Sequence, residues 1–392
     1  MSASFTHTLI SARHNIHLDA FYLSSREATP KCSTPWFVHM KRLRGGRQEG
    51  VDLLELSTGD ITMRIIPTRG MGILDVTCGD MRLGWHSAVK EVVHPMFVDL
   101  VNRGGTAWLE AFNEYMVRCG LEWFGPPGAD PHHLAKAEPP ANPLTLHGKI
   151  ANIPASELLI EIETRPPYRL RVHGKVYEVM HYGPKFELAT TMTLTPGEPS
   201  FTVEDAITNL GGQTEEFGVL YHINHGRPLL EPGTRFVGPV KRVQPRDDGS
   251  SYRGLNTYDQ YGPPRKGSLE QVFLLELYGD RRGRTEVMLE NKAGDRAVSL
   301  AWSNRALPCF TIWKGLHAEA DGYVTGLEPA TYYPNPRPIE REAGRVQTLK
   351  AGRTHTITIE YAIHRSKQAV SKAAQRIEGI RGGRQTQVMQ AE

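Results

Sequence analysis

The sequence predicts an all-β protein: a large antiparallel β-sandwich with a few short helices. Three observations predict it. Short apolar runs rich in Val, Ile, Leu and Thr recur along the chain. The 38 glycines and 27 prolines fall between them as turn punctuation. Helical spacing, by contrast, is confined to one internal stretch and the C-terminal end. So many antiparallel strands are most simply housed in two packed sheets.

In chain order, residues 1–40 have mixed periodicity and read as an N-terminal extension. It is followed by a basic, glycine-interrupted loop, RLRGGRQEG. From Val51, VDLLELSTGDITMRIIPTRGMGILDVTCGDMRLGW reads as a strand meander broken at Thr-Gly-Asp, Arg-Gly and Cys-Gly-Asp. TAWLEAFNEYMVRCG (106–120) places Trp108, Leu109, Phe112 and Met116 at helical spacing ahead of Gly120 and predicts one short helix. A Pro-rich loop over 122–143 follows. Strand texture then resumes in LLIEIETRPPYRLRVHGKVYEVMHYG, FELATTMTLTPG and SFTVEDAITNL, and continues to THTITIEYAIH. The β domain is therefore expected over 41–365. From Ser366 the tail over 366–392 sets Val370, Ala373, Ala374 and Ile377 against Lys372 and Arg376, which predicts a basic helix that frays into a polar end.

Composition narrows the function. The 46 basic and 43 acidic residues leave a net charge of +3, too weak a field to expect a nucleic-acid partner. No apolar run is long enough for a membrane span. The start, MSASFTHTLI, lacks the charged segment and apolar stretch of a signal peptide, so cytoplasmic residence is expected. Cys32, Cys78, Cys119 and Cys309 form no CxxC pair, and buried free thiols are expected.

Titratable residues concentrate in three segments where an apolar run meets Gly or Pro. NPLTLHGKIANIP carries His147, EFGVLYHINHGRPLLEPG carries His222, Asn224 and His225, and DGYVTGLEPATYYPNPR carries Glu328. One carboxylate and one imidazole suffice to exchange protons between a sugar's anomeric hydroxyl and its ring oxygen. Taken singly, each residue could as well be a hydrogen-bonded structural His or a solvated Glu. No HxH or HExxH spacing is present, so no metal and no other cofactor is expected.

LTLHGKIAN, YHINHGRPLL and DGYVTGLEPATYYPNPR, together with IIPTRGMGI and SNRALPCFTIWKG, resemble the aldose 1-epimerase-related family DUF4432 of the galactose-mutarotase-like superfamily. The likeness spans most of residues 40–362. It implies a small carbohydrate partner, Glu328 as catalytic base, His222 as general acid and His147 as a second sugar-facing histidine. Asn224 stands beside the acid. Arg69 or Arg118 would be the sugar-binding arginine, with a structural ion pair as the alternative for each, and Lys314 could donate to a sugar hydroxyl or acidic group. The expected activity is mutarotase-like. Two alternatives are a non-catalytic carbohydrate-binding protein and an isomerase, epimerase or lyase acting on a keto-sugar or uronate.

Overall fold

The computed structural model describes residues 4–130, 144–247 and 249–389. Two large sheets dominate, one of ten strands and one of fourteen, and the helices are short apart from the last. Nearly all strand pairs are antiparallel, as the Gly- and Pro-punctuated runs predict. In the ten-stranded sheet, Glu157–Glu163, Leu170–Val179, Lys185–Leu194 and Ser200–Asn209 alternate buried and half-exposed residues. That alternation marks one face packed and one wetted.

The main core lies between the sheets. Leu158, Val172, Leu188 and Val203 from the ten-stranded sheet meet Tyr221, Ile223, Ile312 and Leu327 from the other. The fourteen-stranded sheet is buried on its second face too. There Val117, Cys119, Leu220, Val324 and Ala330 pack under Trp108, Phe124 and Tyr332. This double burial matters for the site, because the outer face of that sheet is where the cleft opens.

The structure differs from the sequence reading at two places. Residues ahead of position 40 supply strands to both sheets: Ser4–Ser11 pairs with Glu157–Glu163, Ala20–Ser24 pairs with Phe37–Arg42, and the latter crosses the expected boundary. The helix expected over 106–120 is instead a 3-10 turn, Ala107–Ala111, followed by the strand Met116–Leu121. Every residue of that strand is buried. A strand covered on both faces loses its polar alternation, so its apolar spacing imitates a helix.

The C-terminal helix, Lys367–Arg381, is present as expected. Ser366 Oγ accepts from the Ala369 amide at its start, satisfying one of the free N–H groups of the first turn. Val370, Ala373 and Ile377 pack on Met288 and Ala297, and Arg376 pairs with Glu286. Residues 131–143 of the Pro-rich loop and 390–392 of the tail lie outside the described residues. Among the described residues no helix is long and apolar enough to cross a membrane.

Candidate active site

Strand register brings His222 and Glu328 together. Glu215–His225 runs antiparallel to Tyr323–Ala330 with Leu220 opposite Ala330 and Ile223 opposite Leu327. The same register puts His222 opposite Glu328, and directly opposed residues project from one face. His222 Nε2 and Glu328 Oε1 are 3.2 Å apart, with both side chains almost wholly buried. Gly326, two residues before Glu328, keeps that face open. A Cβ there would strike the Glu328 carboxyl and the His222 ring.

The ring orientation of His222 is fixed from behind. Asn224 Nδ2 donates to the backbone oxygens of Glu114 and His222, at 3.0 and 3.3 Å. Its Oδ1 must therefore face His222 Nδ1, 2.7 Å away. An amide oxygen only accepts, so Nδ1 carries the hydrogen and Nε2 presents a lone pair toward Glu328.

Burial decides the charges. It pushes the Glu328 carboxyl up to about 8, with Arg246 opposing and Glu270 adding to the rise. It pulls His222 down to about 4 against the hydrogen bond to Asn224. Burial thus favours the neutral form of each group, a protonated Glu328 carboxyl beside a neutral His222 imidazole. Apart from His222 Nε2, Glu328 Oε1 has no polar partner among the described residues.

His147 joins them. Its backbone takes a left-handed φ of 59°, held by hydrogen bonds from its amide to Gly125 O and from the Gly120 amide to its own carbonyl. Strain of this kind at a non-glycine residue costs on the order of 1 kcal/mol and persists only where the surroundings impose it. The ring stands 4.9 Å from Trp108 and 5.8 Å from His222, centre to centre. Burial keeps it well below the usual histidine range, with His222 and Arg246 adding to the effect. The three residues selected from separate sequence segments thus line one cleft of about 540 Å³, walled by Trp108, Phe112 and Trp313. That volume suits a small-molecule ligand.

Four other candidates lie elsewhere. Arg118 and Lys314 point to the opposite face, because side chains alternate along a strand. On Met116–Leu121, Val117 is paired with His222 and Arg118 with Tyr221, which lies in the inter-sheet core. Arg118 forms a bidentate pair with Asp205 at 2.6 and 2.9 Å and also donates to Thr190, Gly70 and Met71. It bridges the two sheets. Lys314 donates to the Thr257 and Gln260 carbonyls at 2.9 and 2.8 Å and lies over the Tyr261 ring. Burial lowers its ammonium to about 7. Arg69 is sealed in a pair with Glu114 at 2.6 Å and also donates to Asn152. These are corrections: none of the three lines the cleft. Asn224 also does not line it, and acts on the site only through the His222 ring. His225 likewise faces inward against Tyr115.

Two charged lining residues went unselected in the sequence, Arg246 and Glu270. Arg246 Nη2 donates to Glu270 Oε1 at 2.7 Å, and Trp313 Nε1 donates to Glu270 Oε2 at 2.9 Å. They sit at the ends of neighbouring strands, where the Arg246 amide donates to Val272 O. No local motif joins residues so placed. Their only sequence signal is a charge beside a strand end. Among the described residues, no three His, Cys, Asp or Glu side chains converge as metal ligands.

The chain has known structural counterparts. It is similar over 99% of its length, at 34% identity, to a Klebsiella pneumoniae protein provisionally assigned as an aldose 1-epimerase. The match covers 98% of that protein, with a TM-score of 0.94. A galactose mutarotase-like protein from Clostridium acetobutylicum shares the fold at 16% identity and a TM-score of 0.56, covering 82% of this chain and 97% of the other. An Escherichia coli K12 protein, also provisionally an aldose 1-epimerase, shares it at 16% identity and 0.53, covering 80% and 99%. No curated protein matches the chain. Residues 48–363 match the family described as a domain of unknown function, DUF4432. The chain belongs to that family, on a galactose mutarotase-like β-sandwich.

Proposed function

We propose that the cleft binds a small carbohydrate and that His222 and Glu328 exchange protons at its anomeric centre, the chemistry of an aldose 1-epimerase. The observation that carries the reading is the buried pair: His222 Nε2 and Glu328 Oε1 3.2 Å apart in an aromatic-walled cleft. Mutarotation needs one proton acceptor and one donor close together, because the two oxygens involved share one carbon. This pair supplies both.

With Glu328 holding the proton, the first transfer runs opposite to the roles implied by the family resemblance. His222 Nε2 takes the proton of the anomeric O1 hydroxyl while Glu328 gives its proton to the ring oxygen O5. The C1–O5 bond breaks and C1=O1 forms, leaving an open aldehyde beside an imidazolium–carboxylate pair. After rotation about C1–C2, O5 attacks the other face of C1. Its proton returns to Glu328 as His222 protonates O1, and the opposite anomer leaves. Every proton comes back to its origin, so no external acid, base or oxidant is consumed. Support from relatives is coarser: the Klebsiella and E. coli proteins carry only a provisional epimerase assignment.

The test is anomer exchange by NMR over common aldoses. Wild type is expected to accelerate exchange of a sugar that it binds. Glu328→Gln and His222→Gln are each expected to slow turnover by a factor on the order of 10² to 10⁴ with little change in affinity. Binding with exchange no faster than buffer overturns the catalytic reading and leaves a carbohydrate-binding protein.

A further inference from the structure

Of the described residues that line the cleft, the ionisable ones are Arg246, Glu270, Glu328 and the two histidines. Arg246 and Glu270 are paired with each other at 2.7 Å and both remain partly open to solvent. Glu270 is further tied to the Trp313 indole, whose ring is 5.3 Å from that of His222. A cation, an anion and an aromatic face therefore form one plate beside the proton-transfer pair.

We infer that Arg246, Glu270 and Trp313 are the specificity determinants of the cleft: they read the hydroxyls of an uncharged sugar, and Glu270 excludes sugars that carry a carboxylate or phosphate. The inference rests on the reading of the cleft as a sugar site.

The physical reason lies in what the ion pair leaves free. Only Nη2 of Arg246 is used toward Glu270, so other guanidinium N–H groups can donate to hydroxyl oxygens. Each Glu270 oxygen accepts one protein donor and keeps a lone pair for a hydroxyl proton. An uncharged sugar satisfies both partners without separating them, and its apolar face can lie on the indole. An anionic sugar gains Arg246 only by breaking that pair or by sitting beside the Glu270 carboxylate. Either route carries a charge penalty that the uncharged sugar escapes. Removing the Glu270 charge alone leaves Arg246 uncompensated and should invite anions.

Matched sets test this: glucose, galactose and mannose, each with its uronic acid and its 6-phosphate. Affinities for full-length wild type, Glu270→Gln and Arg246→Gln are read by ligand-observed NMR, with circular dichroism verifying that each variant folds. Wild type should favour the uncharged member by about tenfold or more, and Glu270→Gln should shrink or invert that ratio by about tenfold. Arg246→Gln should weaken the uncharged sugar several-fold and gain nothing for the anions. The ratio within one protein does not move with general destabilisation. A wild type that prefers the anionic member, or a Glu270→Gln variant with an unchanged ratio, overturns the assignment while the sugar site stands. Should Glu270→Gln fail to fold, the wild-type ratio decides. If no sugar of any set binds wild type, the sugar-site reading falls and the inference with it.

Discussion

Asn224 and His222 lie on one strand face, and the amide oxygen of the first accepts the Nδ1 hydrogen of the second at 2.7 Å. Asn224 cannot turn to offer its nitrogen instead, because that nitrogen is held by two backbone carbonyls. The His222 tautomer is thus set by a residue that does not line the cleft.

Asn224→Asp is expected to replace a neutral acceptor by a carboxylate and raise the His222 pKa from about 4. The acid limb of the pH–rate profile should move upward, and ¹⁵N NMR of His222 should report an imidazolium nearer neutrality. Asn224→Leu frees the tautomer and should lower turnover by about tenfold or more with the fold intact. An unmoved acid limb in Asn224→Asp would show that Asn224 does not tune His222.

The pair predicts a bell-shaped pH dependence of turnover. Below about 4, His222 is protonated and no acceptor remains. Above about 8, Glu328 is ionised and no donor remains. Activity should therefore plateau between those limits. A single rising limb through the usual carboxylate range would mean that Glu328 works as a resting carboxylate and that the proton donor is another group.

Stability should carry the same signature. The Glu328 pKa is raised from 4.5 to about 8 on folding. The native state therefore holds a proton that the unfolded chain has lost, and its contribution is full below 4.5 and declines as pH rises through about 8. Glu328→Gln removes that decline. Relative to wild type it should gain on the order of 4 kcal/mol between pH 4.5 and pH 8, read from urea unfolding at a series of pH values. A difference that is flat with pH would place the carboxyl in a wetter setting than the fold indicates.

Arg118→Met should destabilise by about 3 to 5 kcal/mol, because it leaves Asp205 buried and unpaired between the sheets. The double variant Arg118→Met, Asp205→Leu should recover much of that loss. Thermal unfolding of both variants and the wild type checks it. Loss of sugar affinity with unchanged melting would instead return Arg118 to the binding site.

The sequence alone determined the class of fold, because Gly- and Pro-bounded apolar runs and their period-two burial depend on nearest neighbours. It also determined the C-terminal helix, through the spacing of Val370, Ala373 and Ile377, and it marked His147, His222 and Glu328 by their motifs. Alternation says that Arg118 and Val117 face opposite ways, but not which face is the cleft, since both faces of that sheet are covered. Only the tertiary structure decided that Arg118 and Lys314 turn inward, and that the stretch read as a helix is a central strand. Only it could join Arg246 to Glu270 and set the charges of His222 and Glu328. Register between distant strands and burial by distant segments are properties of the assembled sheets, and no local window of sequence contains them.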